Sequence, residues 1–158
     1  MKQYAHIAFS FGLLTFILRP LGLFESLSFA FLFAVVVNYV IDAGHVRSYS
    51  RYAGKVIPKR SWITHSVVIA PLWGALLGLA FSLPLDAFFR VNLLFVMIGA
   101  GIIAAYSHLL LDSVTEGGVF LLKRRIALAH YRYNNVAANI MAAIFGMMLF
   151  YAAVFLAF

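Results

Sequence analysis

The stretch VNLLFVMIGAGIIAAYSHLLLD, residues 91–112, decides what kind of protein this is. No Asp, Glu, Lys or Arg interrupts it before Asp112, its last residue. At about 1.5 Å of rise per residue, a helix of this length covers the roughly 30 Å hydrocarbon core of a bilayer. Near its end His108 and Asp112 stand four residues apart, a spacing that stacks both side chains on one helix face. A lone His-x3-Asp arises often by chance. Its meaning depends on where the other rare polar residues of the chain fall.

Working outward, the composition agrees with a lipid solvent. Of 158 residues 65% are hydrophobic and only 11% charged, and the mean hydropathy is +0.98. A soluble domain carries far more charge. Five apolar runs are long enough, or nearly so, to cross: approximately 4–18, 24–42, 66–83, 91–112 and 137–158. Arg19-Pro20 ends the first and Pro84 closes the third, while residues 43–65 and 113–136 read as loops. The first run reads as an anchor that is retained, because the next apolar run follows almost at once. The expectation is an all-α integral membrane protein, one membrane domain over residues 1–158.

Topology follows from the basic residues. Lys2, Arg47, Arg51, Lys55, Lys59, Arg60, Lys123, Arg124, Arg125 and Arg132 fall before span one, between spans two and three, or between spans four and five. In a five-span chain these regions share one side. Only Arg19 and Arg90 lie opposite, near Glu25 and Asp86. The positive-inside rule puts the N-terminus in the cytoplasm and the C-terminus outside, in a multi-pass protein of the plasma or inner membrane. The net charge of +7 therefore needs no nucleic-acid partner; anionic lipid headgroups and topology account for it.

The histidines can then be placed by depth. His6 starts span one, Asp42 ends span two with Asn38 one turn deeper, His65 opens span three, and His108 and Asp112 close span four. Four helices thus bring imidazoles and carboxylates to the cytoplasmic face. A carboxylate inside a membrane helix is costly and needs a cation or a water-lined cavity to stay ionised. With no cysteine in the chain, the available ligands are those that suit zinc, manganese or iron. His6, Asp42, His65, His108 and Asp112 are the candidate ligands of a divalent metal, zinc first. They are numerous enough for two ions, or for one ion with outer partners. Such a cation lowers the pKa of its water and supplies a nucleophile, which is hydrolase chemistry.

Bland readings compete at each position. An interfacial histidine often only anchors in the headgroup region, and His130, within His130-Tyr131-Arg132-Tyr133, fits that description best. Asn38 reads equally as an interhelical hydrogen-bond residue. In Thr115-Glu116-Gly117-Gly118, two glycines permit a sharp turn with amides open to an anionic oxygen. Glu116 is there a candidate general acid or base, or else a solvated loop acid. Ser66, next to His65, is the second candidate for proton transfer or substrate holding.

At these residues the sequence resembles the YdjM-like (LexA-regulated) inner-membrane metal-dependent hydrolases, and particularly their short archaeal-type relatives. The resemblance rests on His6, on the segment Asn38…Asp42…His45, on Thr64-His65-Ser66, and on Ser107-His108-Leu109-Leu110-Leu111-Asp112 followed by a glycine-containing turn. Where that family has Pro-Asp-x-Asp-His, this chain has Asn38-Tyr39-Val40-Ile41-Asp42, with His45 following at a different spacing. The resemblance implies an integral membrane protein with metal-dependent hydrolase activity.

The expected function is a membrane-embedded hydrolase that takes a lipid or lipid-linked substrate from the cytoplasmic leaflet, a phosphoester by preference. Membrane lipid phosphatases also carry His-x3-Asp, but their Lys…Arg-Pro and Pro-Ser-Gly-His segments are missing here, which disfavours that subclass. The alternatives are a metal or proton transporter and a non-catalytic membrane protein with a structural metal. Faces of small residues such as Gly99, Ala100 and Gly101 permit a homo-oligomer without requiring one.

Overall fold

The structure, a computed structural model, describes residues 1–50, 55–89 and 92–156. Five long helices dominate: α1 (Gln3–Leu18), α2 (Leu23–Ala43), α3 (Ala70–Phe89), α4 (Leu94–Ser113) and α5 (Val136–Phe155). All five are long and apolar enough to cross a membrane. Two antiparallel hairpins complete the described chain. β1 (Val46–Ser50) pairs with β2 (Lys55–Lys59), Val46 opposite Lys59. β3 (Val119–Leu121) pairs with β4 (Arg124–Ile126), Val119 opposite Ile126. Of the residues used to read topology and span ends, Arg51, Arg90, Val91 and Phe158 lie outside the described residues.

Local chemistry explains several boundaries. Arg19–Leu21 form a single 3-10 turn, and Gly22 at φ 118° redirects the chain into α2; only glycine takes that angle without strain. The 21 residues of α2 begin at Leu23, so this span is full length. α5 starts on Asn135, whose side chain accepts from Ala138 N at 3.0 Å and satisfies one of the free amides of the first turn. Two expectations need correcting. Span three does not begin at Ser66: residues 66–69 make a turn and a strand bridge, and α3 starts at Ala70. Nor does Pro84 close it, since the helix runs on to Phe89 with the proline inside; the ring removes one N–H bond, a loss that membrane-spanning helices tolerate. The loops 43–65 and 113–136 likewise contain the two hairpins.

α1, α2 and α4 pack against one another, α3 lies on α4, and α5 lies on α1. Leu14, Phe33, Val37, Ile41, Met97, Ala104 and Leu109 are among the buried apolar residues. With lipid outside there is little hydrophobic drive between helices, so close backbone approach takes its place. Gly12 meets the Gly146 backbone where α1 crosses α5, and Gly74 meets the Gly101 backbone where α3 crosses α4. These crossings bring the start of α1, the ends of α2 and α4 and the segment before α3 together at one end of the bundle.

A candidate metal centre

The buried end of α4 carries the site. Asp112 is 1% exposed, and its two oxygens face different surroundings. Oδ1 meets the Met1 ammonium at 2.9 Å, His6 Nε2 at 3.2 Å and the Arg60 Nη2 group. Oδ2 faces His108 Nε2 at 3.3 Å and His65 Nε2 at 3.5 Å. His108 Nε2 in turn lies 3.6 Å from Asp42 Oδ1. His6 stacks on His108, ring centroids 4.0 Å apart. His45 holds the backbone carbonyl of Asp42 through Nδ1, and its ring stands 4.7 Å from that of His65.

A directed chain of hydrogen bonds fixes the His108 ring. The carbonyl of Ala34 can only accept, so the Asn38 group 2.6 Å from it is the amide nitrogen. That nitrogen also donates to Ser10 Oγ at 3.0 Å. Asn38 Oδ1 is therefore the acceptor 2.7 Å from His108 Nδ1, which must carry the proton. Nε2 of His108 is left with its lone pair toward the carboxylates, the tautomer a metal ligand requires. Ser10 donates to Ser107 Oγ at 2.6 Å, because the Ser107 hydroxyl is itself used on Ala104 O at 2.7 Å. There the chain of donors ends.

His65 sits in no helix, and the second hairpin positions it. Phe120 N donates to the His65 carbonyl at 2.9 Å, and Val67 N donates to Phe120 O at 2.8 Å. Thr64 Oγ1 meets Nδ1 of the ring at 2.9 Å, leaving Nε2 directed at Asp112. Burial pushes this imidazole down to about 2, against the opposing pull of Asp112. At neutral pH the ring is uncharged, and neutral imidazole is what a metal binds.

Among the described residues, four buried side-chain atoms lack any hydrogen-bond partner: His6 Nδ1, His65 Nε2, His108 Nε2 and Asp112 Oδ2. Three of them face one another. Buried polar groups are almost always satisfied, so a convergent set of orphans asks for a ligand. Around a tetrahedral zinc with bonds of about 2.0–2.1 Å, neighbouring ligand atoms are separated by roughly 3.3–3.4 Å. Three contacts come near that spacing: His108 Nε2 lies 3.3 Å from Asp112 Oδ2 and 3.6 Å from Asp42 Oδ1, and His65 Nε2 lies 3.5 Å from Asp112 Oδ2. Among the described residues, two overlapping groups have ligand atoms within 4.8 Å: His6, His108 and Asp112, and Asp42, His65 and His108. Both use His108. With Nδ1 given to Asn38, His108 offers one lone pair, so the groups cannot each hold an ion through it.

Residues 1–111 match a family model described as a protein of unknown function, DUF1286. The chain belongs to the DUF1286 family. No match is found among curated proteins or solved structures. The stretch shared with DUF1286 contains His6, Asp42, His65 and His108 and ends one residue before Asp112.

The other expected residues of this DUF1286 protein fall further out. Glu116 is exposed, and its backbone N–H is used on Tyr131 O at 2.8 Å. Ser66 is buried, with Oγ accepting from Val68 N at 3.3 Å in the turn that leads into α3. His130 is exposed. Three amides of the Thr115–Gly118 turn are taken by backbone carbonyls: Thr115 N donates to Asp112 O at 3.0 Å, Glu116 N to Tyr131 O and Gly118 N to Thr115 O at 2.9 Å. The turn instead offers acceptors, and they belong to Arg60. Its Nη1 donates to Gly118 O at 2.7 Å and to Thr115 Oγ1 at 3.0 Å. In the sequence Arg60 is one of several flanking loop cations, with nothing to tie it to Asp112. Its position five residues before His65 was the one available signal.

Asn38 gives a first prediction. Asn38→Ala removes the acceptor of His108 Nδ1 and frees the ring to turn. Divalent-metal affinity, followed by competition with a chromogenic chelator, is expected to fall about 10–100-fold, the range for losing such an orienting partner. Unchanged affinity would mean that the ring is held by something else.

Proposed function

We propose that this chain is a membrane-embedded, metal-dependent hydrolase, with one divalent cation held by Asp42, His65, His108 and Asp112. The observation that carries the reading is the convergence of the unpartnered buried atoms His65 Nε2, His108 Nε2 and Asp112 Oδ2, with Asp42 Oδ1 3.6 Å from His108 Nε2. Zinc suits the donor set best, with manganese or iron as the other choices. His6 faces the outer oxygen of Asp112 and serves as a partner that orients the carboxylate. When bound, the cation supplies an activated water for hydrolysis.

The positive-inside rule puts this end of the bundle at the cytoplasmic face of the cell membrane. The substrate on this reading is a lipid or lipid-linked phosphoester entering from that leaflet. The likeness to YdjM-like hydrolases supports the same class. Asp42 is 28% exposed at its side chain, so one side of the donor set reaches the surface, as a catalytic centre needs and a closed structural site does not. A transporter is the weaker reading, because the polar chain through Asn38, Ser10 and Ser107 stops at the Ala104 carbonyl.

The test pairs metal analysis of wild type and Asp112→Ala with release of phosphate or fatty chains from native lipids. One equivalent of metal and turnover in wild type, with both lost in the variant, is expected. Metal without turnover on a broad lipid panel would favour a structural ion. Absence of metal from folded, active wild type would refute the reading.

A further inference from the structure

Arg60 holds the outer oxygen of Asp112, yet only one edge of its guanidinium is engaged. The group has five N–H donors in a rigid planar fork. Nη1 is directed at Thr115 Oγ1, Gly118 O and, at 3.4 Å, Asp112 O, while Nη2 donates to Asp112 Oδ1. The opposite edge, formed by Nε–H and the second Nη2–H, has no acceptor among the described residues. That edge is the one that takes two oxygens of a phosphate side-on. The Arg60 side chain is not fully enclosed, at 12% exposed. Gly117 lies against the guanidinium, where a Cβ would meet Nη1, Cζ and Nε, so the turn closes over one face of the plane.

Charge balance points the same way. Asp42 and Asp112 together neutralise a divalent cation, which leaves the guanidinium charge, with that of the Met1 ammonium on the same Asp112 oxygen, in excess in a largely buried site. Uncompensated charge in such a place is costly, and an anionic ligand removes the cost. A guanidinium beside a metal is also where charge developing on a phosphoryl group is stabilised.

We propose that the free edge of Arg60 binds the phosphate group of the substrate beside the metal centre, so that Arg60 selects phosphate esters over neutral esters and amides. This rests on the metal-dependent reading above. The phosphate can belong to a lipid headgroup or to a soluble phosphate.

The test uses full-length protein in detergent and in nanodiscs. Zinc affinity is measured first, then binding of inorganic phosphate to the zinc-loaded protein by calorimetry, for wild type and Arg60→Lys. The lysine keeps the charge beside Asp112 but lacks the fork. Phosphate affinity is expected to fall at least about 10-fold, with zinc affinity within about 3-fold of wild type. A second readout needs no variant: phenylglyoxal labelling of Arg60 in the zinc-loaded wild type, followed by mass spectrometry. Protection by inorganic phosphate supports a free phosphate group, and protection only by phosphatidic acid nanodiscs, compared with phosphatidylcholine ones, supports a lipid headgroup. Equal phosphate affinity in Arg60→Lys, or a zinc-loaded wild type whose Arg60 neither phosphate source protects, overturns the proposal while leaving the metal centre intact. A wild type that binds no zinc overturns both.

Discussion

Asp112→Asn is expected to abolish metal binding while leaving the helices folded. The substitution keeps the shape of the side chain and one acceptor oxygen for Arg60. It converts the other oxygen, the one 3.3 Å from His108 Nε2 and 3.5 Å from His65 Nε2, into an amide. The amide nitrogen at that position cannot ligate a cation, but it can donate to the imidazole lone pairs that are otherwise unpartnered. Metal affinity should therefore drop by more than the roughly 100-fold upper end for losing an orienting partner. Asp112→Ala should be more harmful to the fold, since it leaves the Arg60 guanidinium without any partner at that position; breaking a buried pair this way costs about 3–5 kcal/mol. Chelator competition and thermal unfolding in detergent separate the two effects. If Asp112→Asn retained wild-type affinity, Asp112 would be a structural ion-pair residue and nothing more.

The second large effect lies far from the site in chemistry but not in mechanics. Gly101→Val places a branched side chain where Gly74 of α3 presents its backbone carbonyl. Neither helix can yield locally, because the obstruction is main chain. The two must separate, at a cost of about 1–3 kcal/mol or more for overpacking. α4 carries His108 and Asp112, and the segment entering α3 carries His65, so the same separation pulls the site apart. Both the melting temperature and metal affinity should fall together. Gly99→Ala is the control: a Cβ there meets nothing within 4 Å, and neither quantity should change. Equal behaviour of the two variants would show that the close crossing does not hold α3 in place.

Particular residues show how much of this was legible in the sequence. The five apolar runs stand out because a bilayer demands uninterrupted length, and each corresponds to a helix. The gathering of His6, Asp42, His65, His108 and Asp112 at one end follows from counting spans, since alternate helix ends must share a side. Helix faces were not legible, because these helices are apolar all round and carry no amphipathic stripe to say which side packs. The hairpins were hidden as well: three to five residues in basic loops carry too little alternation to signal a strand. Arg60 was indistinguishable from its neighbours because topology explains any loop cation equally well. Its pairing with Asp112 exists only once the turn after α4 folds back over it. Asn38 was read as an interhelical hydrogen-bond residue, and it does bond α1 and α4; its hold on the His108 tautomer depends on both partners together.

The most direct test of the metal centre is equilibrium dialysis of the full-length protein in detergent against buffered zinc, with metal and protein quantified in the same sample. The shared lone pair of His108 predicts saturation at one ion per chain, lost in Asp112→Asn. No bound ion, or two tightly bound ions per chain, would contradict it.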